Sequence, residues 1–341
     1  MRSLSTIDEM EERLSAPTAE TVRALADLDG DVLVLGAGGK MGPALARMTC
    51  RASEAAGSSR RVFAASRFSD PQAQQSLEAA GVETLAGDLL DRRFVDGLPD
   101  CPNLVFLAGR KFGTDDNSGE TWATSVFLPG LVCQRFAGSR IAALSTGNVY
   151  GLVDAAGPGS REEDSLDPGG EYAQSALGRE RIFAYFSHRH GTTIAVIRLN
   201  YAAELRYGVF VDLGKRILAG EPVELDMGRF NVVWQGDACN QILCSLLYAS
   251  SPLAIFNVTG RESLSIRAVA ERLAAALDRP VEFVGVEGSR ALLSDSSRAE
   301  RLLGRLHTTV DDMIDWTAQW LRAGGATWSK PTHFEVVNGR F

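Results

Sequence analysis

The apolar positions of this chain come in short unbroken runs, separated by stretches with helical spacing. The first run is Val32–Leu35, inside DVLVLGAGGKMGPALARM (31–48). Four consecutive apolar residues predict a strand buried on both faces, as in a parallel sheet. Ala44, Leu45 and Met48 then follow at the spacing of a helix face. RRVFAASRF (60–68), GVETLAGDLLD (81–91), NLVFLAG (103–109) and RIAALSTGNVYG (140–151) repeat the scheme. Strands alternating with helices imply an α/β fold with a doubly wound parallel sheet.

From Tyr201 the pattern changes. YAAELRYGVFVDLGKRILAGEPVEL reads as a loop, a helix and a short strand, and NVVWQGDACNQILCSLLYA as a return to the layer around the sheet. IFNVTG (255–260) is a further strand; SIRAVAERLAAAL (265–277) and TVDDMIDWTAQWL (309–321) are amphipathic helices. At the other end, Thr6 with Glu9 three residues later predicts a capping box opening a short helix. A second helix is expected from Thr18 to Leu28. The tail GATWSKPTHFEVVNGRF carries aromatics that suit docking on the body or on a second subunit.

Composition narrows the function. The 341 residues are 45% hydrophobic and 23% charged, with a net charge of −8. That balance argues against nucleic acid as a partner, since neutralising phosphates takes clustered Lys and Arg. The acidic N-terminal stretch lacks the apolar core of a signal peptide. No apolar run approaches the roughly 20 residues that span a bilayer, so a soluble, cytoplasmic protein without a membrane partner is expected. The five cysteines form no C-x-x-C pair and no even framework, which fits reduced thiols. His188 and His190 point different ways on a helix, and no metal site is expected.

Candidate chemistry begins at the first turn. Gly36, Gly39 and Gly42 stand at three-residue spacing between a strand and a helix, with Gly38, Lys40 and Met41 between them. Glycines there let the backbone approach a pyrophosphate resting on the helix N-terminus. At the end of the second strand, Ser66 and Arg67 stand where an acid would hold a ribose 2′-hydroxyl. An arginine would instead meet a 2′-phosphate, favouring NADP with NAD possible, or it is simply solvated.

With Gly-Asp-Leu at 87–89, LAG at 107–109, STGNVYG at 145–151, EYAQS at 171–175 and RLN at 198–200, the chain resembles the extended short-chain dehydrogenases, the NAD-dependent sugar epimerases and dehydratases. The resemblance runs over about 30–325. It implies a Rossmann domain over 30–200, to which 231–258 returns, and a small interleaved substrate domain from 201–230 and 259–325. A helical prefix (1–29) and a tail (326–341) lie outside it. It also implies that Asp88 and Leu89 lie at the adenine and that Ala108 and Gly109 lie against the nicotinamide half. Tyr172 would be the acid/base and Thr146 the ligand of the reacting oxygen. Asn148 and Asn200 would meet the substrate. Small-molecule sugars or sugar acids would be the substrates, hydride transfer the reaction, and a homodimer the assembly. A nucleotide-sugar epimerase holding NAD tightly is the neighbouring alternative.

Three positions depart from the family. Ala176 stands where a lysine would support Tyr172, Ser125 where many relatives have asparagine, and Gly147-Asn148 where 4,6-dehydratases carry Asp-Glu. The last removes the acid and base of water elimination. The first leaves open a cofactor-binding module without chemistry. For the missing ammonium, Arg110 and Lys111 leave the fourth strand beside the nicotinamide position, so Lys111 is the candidate substitute or an anion ligand and Arg110 a substrate ligand, or the two are a solvated basic pair in a polar loop. Arg179, two turns beyond Tyr172 on the same helix face, is a second candidate that could reach back toward the tyrosine, though a surface residue is the favoured reading. Arg206 and Arg229 are further cations able to grip a carboxylate or phosphate, or to make surface ion pairs.

Overall fold

In the computed structural model, residues 4–110, 113, 117–328, 330 and 332–335 are described. Seven strands form the central sheet: β1 (Val32–Leu35), β2 (Val62–Ser66), β3 (Glu83–Ala86), β4 (Asn103–Phe106), β5 (Arg140–Thr146), β6 (Thr193–Leu199) and β7 (Ala254–Val258). Their order is β3-β2-β1-β4-β5-β6-β7, and every neighbouring pair is parallel. This is the doubly wound Rossmann arrangement that the alternating pattern implies. The order reverses between β1 and β4, which opens a crevice at their carboxyl ends.

Burial on both faces explains the unbroken runs. All four residues of β1 are 0% exposed. Val34 packs with Leu45 and Met48 on one side of the sheet, Leu33 and Leu35 with Phe106 and Phe183 on the other. The edge strand β3 has an exposed residue at each end and two half-buried ones between them.

The prefix folds as α1 (Ile7–Leu14) and α2 (Ala19–Ala26). The capping box is present: the Thr6 hydroxyl accepts from the Glu9 N–H and the Glu9 carboxylate accepts from the Thr6 N–H, each at 3.1 Å. Such a box satisfies two of the N–H groups a helix start leaves orphaned. Met10, Leu14 and Leu25 are fully buried, in the cluster shared by α3 (Gly42–Ala55) and the later helices. The prefix is therefore part of the core.

Five further helices pack around the sheet and the cleft. α4 (Gly170–His190) carries Tyr172. α5 (Val209–Ala219), α7 (Ile266–Leu277) and α8 (Val310–Arg322) pack on one another, while α6 (Gln235–Ser245) packs on α2 and α3. The tail docks on the body of its own chain. The Trp328 N–H donates to the Arg206 carbonyl at 2.9 Å, the Thr332 hydroxyl to Asp212 Oδ2 at 2.6 Å, and Phe334 is buried. No helix among the described residues is long and apolar enough to cross a membrane.

Candidate active site

The cleft lies over the carboxyl ends of β1, β4 and β5 and has two lobes. The larger, about 1070 Å³, spans the glycine turn, Thr146 and Tyr172 and reaches Tyr207 and Trp328. The smaller, about 410 Å³, runs over Ser66, Arg67, Asp88 and Leu89. Ala108 lines the smaller lobe and Gly109 both.

The turn has the shape a pyrophosphate requires. Gly36 has φ +84, and a Cβ there would lie 2.7 Å from the Ala108 backbone nitrogen. A Cβ on Gly42 would strike the Ala37 carbonyl, and one on Gly38 would lie 2.6 Å from Ser66 Oγ. Helix α3 starts with no side-chain cap, so its first N–H groups face the cleft without an internal carboxylate or hydroxyl. A phosphate suits that end of a helix dipole. Asp88 turns one carboxylate oxygen onto the Leu90 N–H at 2.9 Å, which fixes the loop wall. A dinucleotide fits these residues.

At the other end of the large lobe, Tyr172 is hydrogen-bonded to Thr146. Burial raises the phenol above its ordinary range, and the Thr146 hydrogen bond and the positive Arg179 both pull it back. The Thr146 hydroxyl donates to Asn148 Oδ1 at 2.9 Å, and both residues line the cleft.

Arg179 is buried, at 7% exposure, and this corrects its reading as a surface residue. Its Nη1 donates to the Leu144 carbonyl at 2.7 Å and Nη2 to Ser125 Oγ at 3.1 Å. Its guanidinium lies 5.8 Å from the Phe106 ring centroid. Two local features bring it there. Ser125 sits in a π-helical turn, Ala123–Phe127, a geometry that bulges backbone and is frequent at functional sites. Gly178 lets α4 close on that turn: a Cβ there would lie 2.8 Å from Val126 Cγ2. Burial lowers the Arg179 pKa, and Tyr172 and Glu180 raise it; an arginine nonetheless stays charged at neutral pH. Ala176 is 2% exposed and packs with Val149 and Tyr150.

Beneath the site runs a buried polar network. Ser145 Oγ donates to Glu180 at 2.6 Å, Arg198 pairs with Glu180 at 2.8 Å and donates to Tyr150 OH at 2.7 Å, and that hydroxyl donates to Asn257 at 2.7 Å. Burial pushes the Tyr150 phenol up to about 12. Tyr150 is thus committed to structure, whereas Tyr172 lines the cleft.

The remaining candidates divide. Lys40 lines the large lobe with its ammonium over the Tyr207 ring, and Met41 lines it beside the turn. Asn200 borders that lobe, but its amide donates to Asn231 Oδ1 at 2.9 Å and to the Leu292 carbonyl at 3.2 Å. Arg206 also borders it, paired with Glu11 at 2.7 Å and Glu204 at 3.0 Å. Arg110 is drawn away to Glu120 at 2.5 Å. Arg229 donates to the Ser263 carbonyl at 3.1 Å and lines neither lobe. Lys111 lies outside the described residues. No metal-binding cluster occurs among the described residues. Sequence reasoning missed Tyr207, Trp328 and Lys330, which line the cleft from segments outside any motif.

Comparison with known proteins agrees with this architecture. The model of the NAD dependent epimerase/dehydratase family matches residues 32–223. Among solved structures, a dTDP-glucose 4,6-dehydratase from Streptomyces venezuelae with NAD bound has a TM-score of 0.73 at 19% identity, covering 86% of this chain and 97% of that one. A UDP-glucose 4-epimerase from Thermotoga maritima with UDP-glucose gives 0.73 at 16% identity, over 86% and 99%. A UDP-glucuronic acid 4-epimerase variant from Bacillus cereus, with NAD and a fluorinated UDP-glucuronic acid, gives 0.70 at 16%, over 86% and 99%. At these identities the likeness speaks for the fold. No curated protein is significantly similar in sequence.

Proposed function

The chain belongs to the NAD-dependent epimerase/dehydratase family, and we propose that it is a nicotinamide-dependent enzyme that oxidises and reduces a sugar or sugar-acid hydroxyl, with Tyr172 as acid/base. The observation that carries this reading is the Tyr172–Thr146 hydrogen bond at the cleft, backed by the buried guanidinium of Arg179.

Bound in the cleft, the dinucleotide supplies the hydride acceptor and donor. The chain's own groups do the rest. Thr146, aligned by Asn148, holds the reacting oxygen. Tyr172 takes the hydroxyl proton during oxidation and returns it during reduction. A phenol of pKa about 10 is a poor base at neutral pH without a nearby cation, and Arg179 provides that charge in place of the absent lysine at Ala176. Its guanidinium lies behind Gly109 and Leu144 rather than in the cleft lining. It acts as an electrostatic support, not a ligand.

Arg67, exposed at the end of β2 in the small lobe, supports NADP as the preferred cofactor. Residues 201–230 and 259–325 are assigned to the substrate side, and a homodimer to the assembly. A second reading, an epimerase that keeps its NAD between turnovers, draws on the walling of the large lobe by Ile7, Asp8 and Glu11 of the prefix and by Thr327, Trp328, Lys330 and Thr332 of the tail. The test is a panel of sugars and sugar acids mixed with the NADP⁺- or NAD⁺-loaded protein, followed by absorbance of the reduced cofactor and by product analysis. Turnover that survives in Tyr172→Phe would overturn the assignment.

A further inference from the structure

We propose that the C-terminal tail completes the dinucleotide site, with Lys330 as a ligand of the pyrophosphate. The inference rests on the dinucleotide reading above and adds to it a residue from outside the family's span. Lys330 lines both lobes of the cleft, together with Gly36, Gly38 and Gly39 of the turn. A side chain common to both lobes stands at their junction. There the adenosine half, marked by Ser66 and Asp88, meets the half that leads to Tyr172, and a dinucleotide spanning both lobes must lay its two phosphates at that junction.

The tail holds this position by anchors on either side of Lys330. Two residues before it, Trp328 donates its N–H to the Arg206 carbonyl at 2.9 Å and lies 4.8 Å from the Arg206 guanidinium and 6.2 Å from the Tyr207 ring. The ammonium of Lys40, from the turn itself, lies 5.6 Å from the same indole. Two residues after it, the Thr332 N–H and hydroxyl both donate to Asp212 Oδ2, at 2.7 and 2.6 Å. Phe334 is buried beyond that, and Glu335 pairs with Arg216 at 3.5 Å. Anchored two residues away on either side, Lys330 is held beside the turn. Asp70 also lines both lobes and caps its own helix through the Gln72 N–H at 2.9 Å.

Chemistry selects phosphate as the ligand. The turn contributes backbone N–H donors and a helix N-terminus, and a lysine adds a compact point charge that suits a phosphate oxygen. The experiment is calorimetric titration of NAD⁺ and NADP⁺ into the full-length protein and into Lys330→Met and Lys330→Arg. The side chain is exposed, so the ligand-free melting temperature of both variants should match the wild type. Lys330→Met should weaken both dinucleotides about tenfold, the scale of one charge-assisted hydrogen bond, and flatten the salt dependence of binding. Lys330→Arg should retain most of the affinity. Unchanged affinity in Lys330→Met would overturn the proposal, and a loss confined to NADP⁺ would move the ammonium to the 2′-phosphate and overturn the pyrophosphate assignment. Failure of the wild type to bind either dinucleotide would remove the underlying reading as well.

Discussion

The guanidinium of Arg179 fills the space that a side chain on Gly109 would occupy: a Cβ built on Gly109 would lie 2.7 Å from Arg179 Nη2. A residue on the wall of the cleft is therefore required to be small by a cation seven residues beyond the tyrosine it supports. Gly109→Ala should push the guanidinium off Ser125 and Leu144, cost about 1–3 kcal/mol of stability as overpacking does, and slow turnover. Thermal melts and steady-state rates on the same preparation check both effects.

Ala176→Lys does not restore the family's arrangement in this chain. Ala176 packs with Val149 and Tyr150 at 2% exposure, and Arg179 already supplies a positive charge nearby. A lysine stem would overpack that cluster and place a second cation beside the first. The expected outcome is a protein destabilised by at least 1–3 kcal/mol, roughly the cost of overpacking alone, with lower activity. A denaturant melt is the check, and a variant as stable as wild type and faster would show that the site lacks only the lysine.

Cofactor preference should follow Arg67. NADPH is expected to bind about tenfold more tightly than NADH, the scale of a charge-assisted hydrogen bond to the 2′-phosphate, and Arg67→Ala should erase the difference while leaving NADH affinity in place. Fluorescence titration of both cofactors decides it. Equal affinities in the wild type would assign NAD.

No 4,6-dehydratase activity is expected on nucleotide-activated hexoses. Gly147 carries no acid, a Cβ there would already press on Ser294 Oγ at 3.2 Å and Asn200 at 3.3 Å, and Asn148 is hydrogen-bonded to Thr146. A 4-keto-6-deoxy product detected by mass spectrometry would contradict this placement of the motif.

What could be read from the sequence was local. β1 and its glycines were legible because burial on both faces leaves an unbroken apolar run, and because a turn that approaches a phosphate admits little but glycine. The capping box at Thr6 follows from three-residue spacing. The burial of Arg179 was not legible, because its depth depends on how closely α4 meets the π-helical turn, which Gly178 sets through Val126, 52 residues away in the chain. Trp328 and Lys330 belong to no periodic element, and the tail's anchors, Arg206 and Tyr207 for Trp328 and Asp212 for Thr332, lie more than a hundred residues upstream. Arg229 reads in the sequence as a cation free to grip an anion, yet its guanidinium donates to the Ser263 carbonyl. Sequence order gives the neighbours within an element, whereas the site depends on which elements are pressed together.

The central claim is that Arg179 does for Tyr172 what a lysine at Ala176 would do. Ultraviolet difference titration of tyrosinate tests it without any substrate, with Tyr172→Phe subtracted to isolate the one phenol. Burial favours the neutral phenol and raises its pKa, while the positive guanidinium favours phenolate and lowers it. Removing the charge in Arg179→Met should therefore move the Tyr172 ionisation to higher pH, by about one unit or more for a loss of about 1.4 kcal/mol, while Arg179→Lys should keep it near the wild-type position. An ionisation that stays put in Arg179→Met would contradict the account.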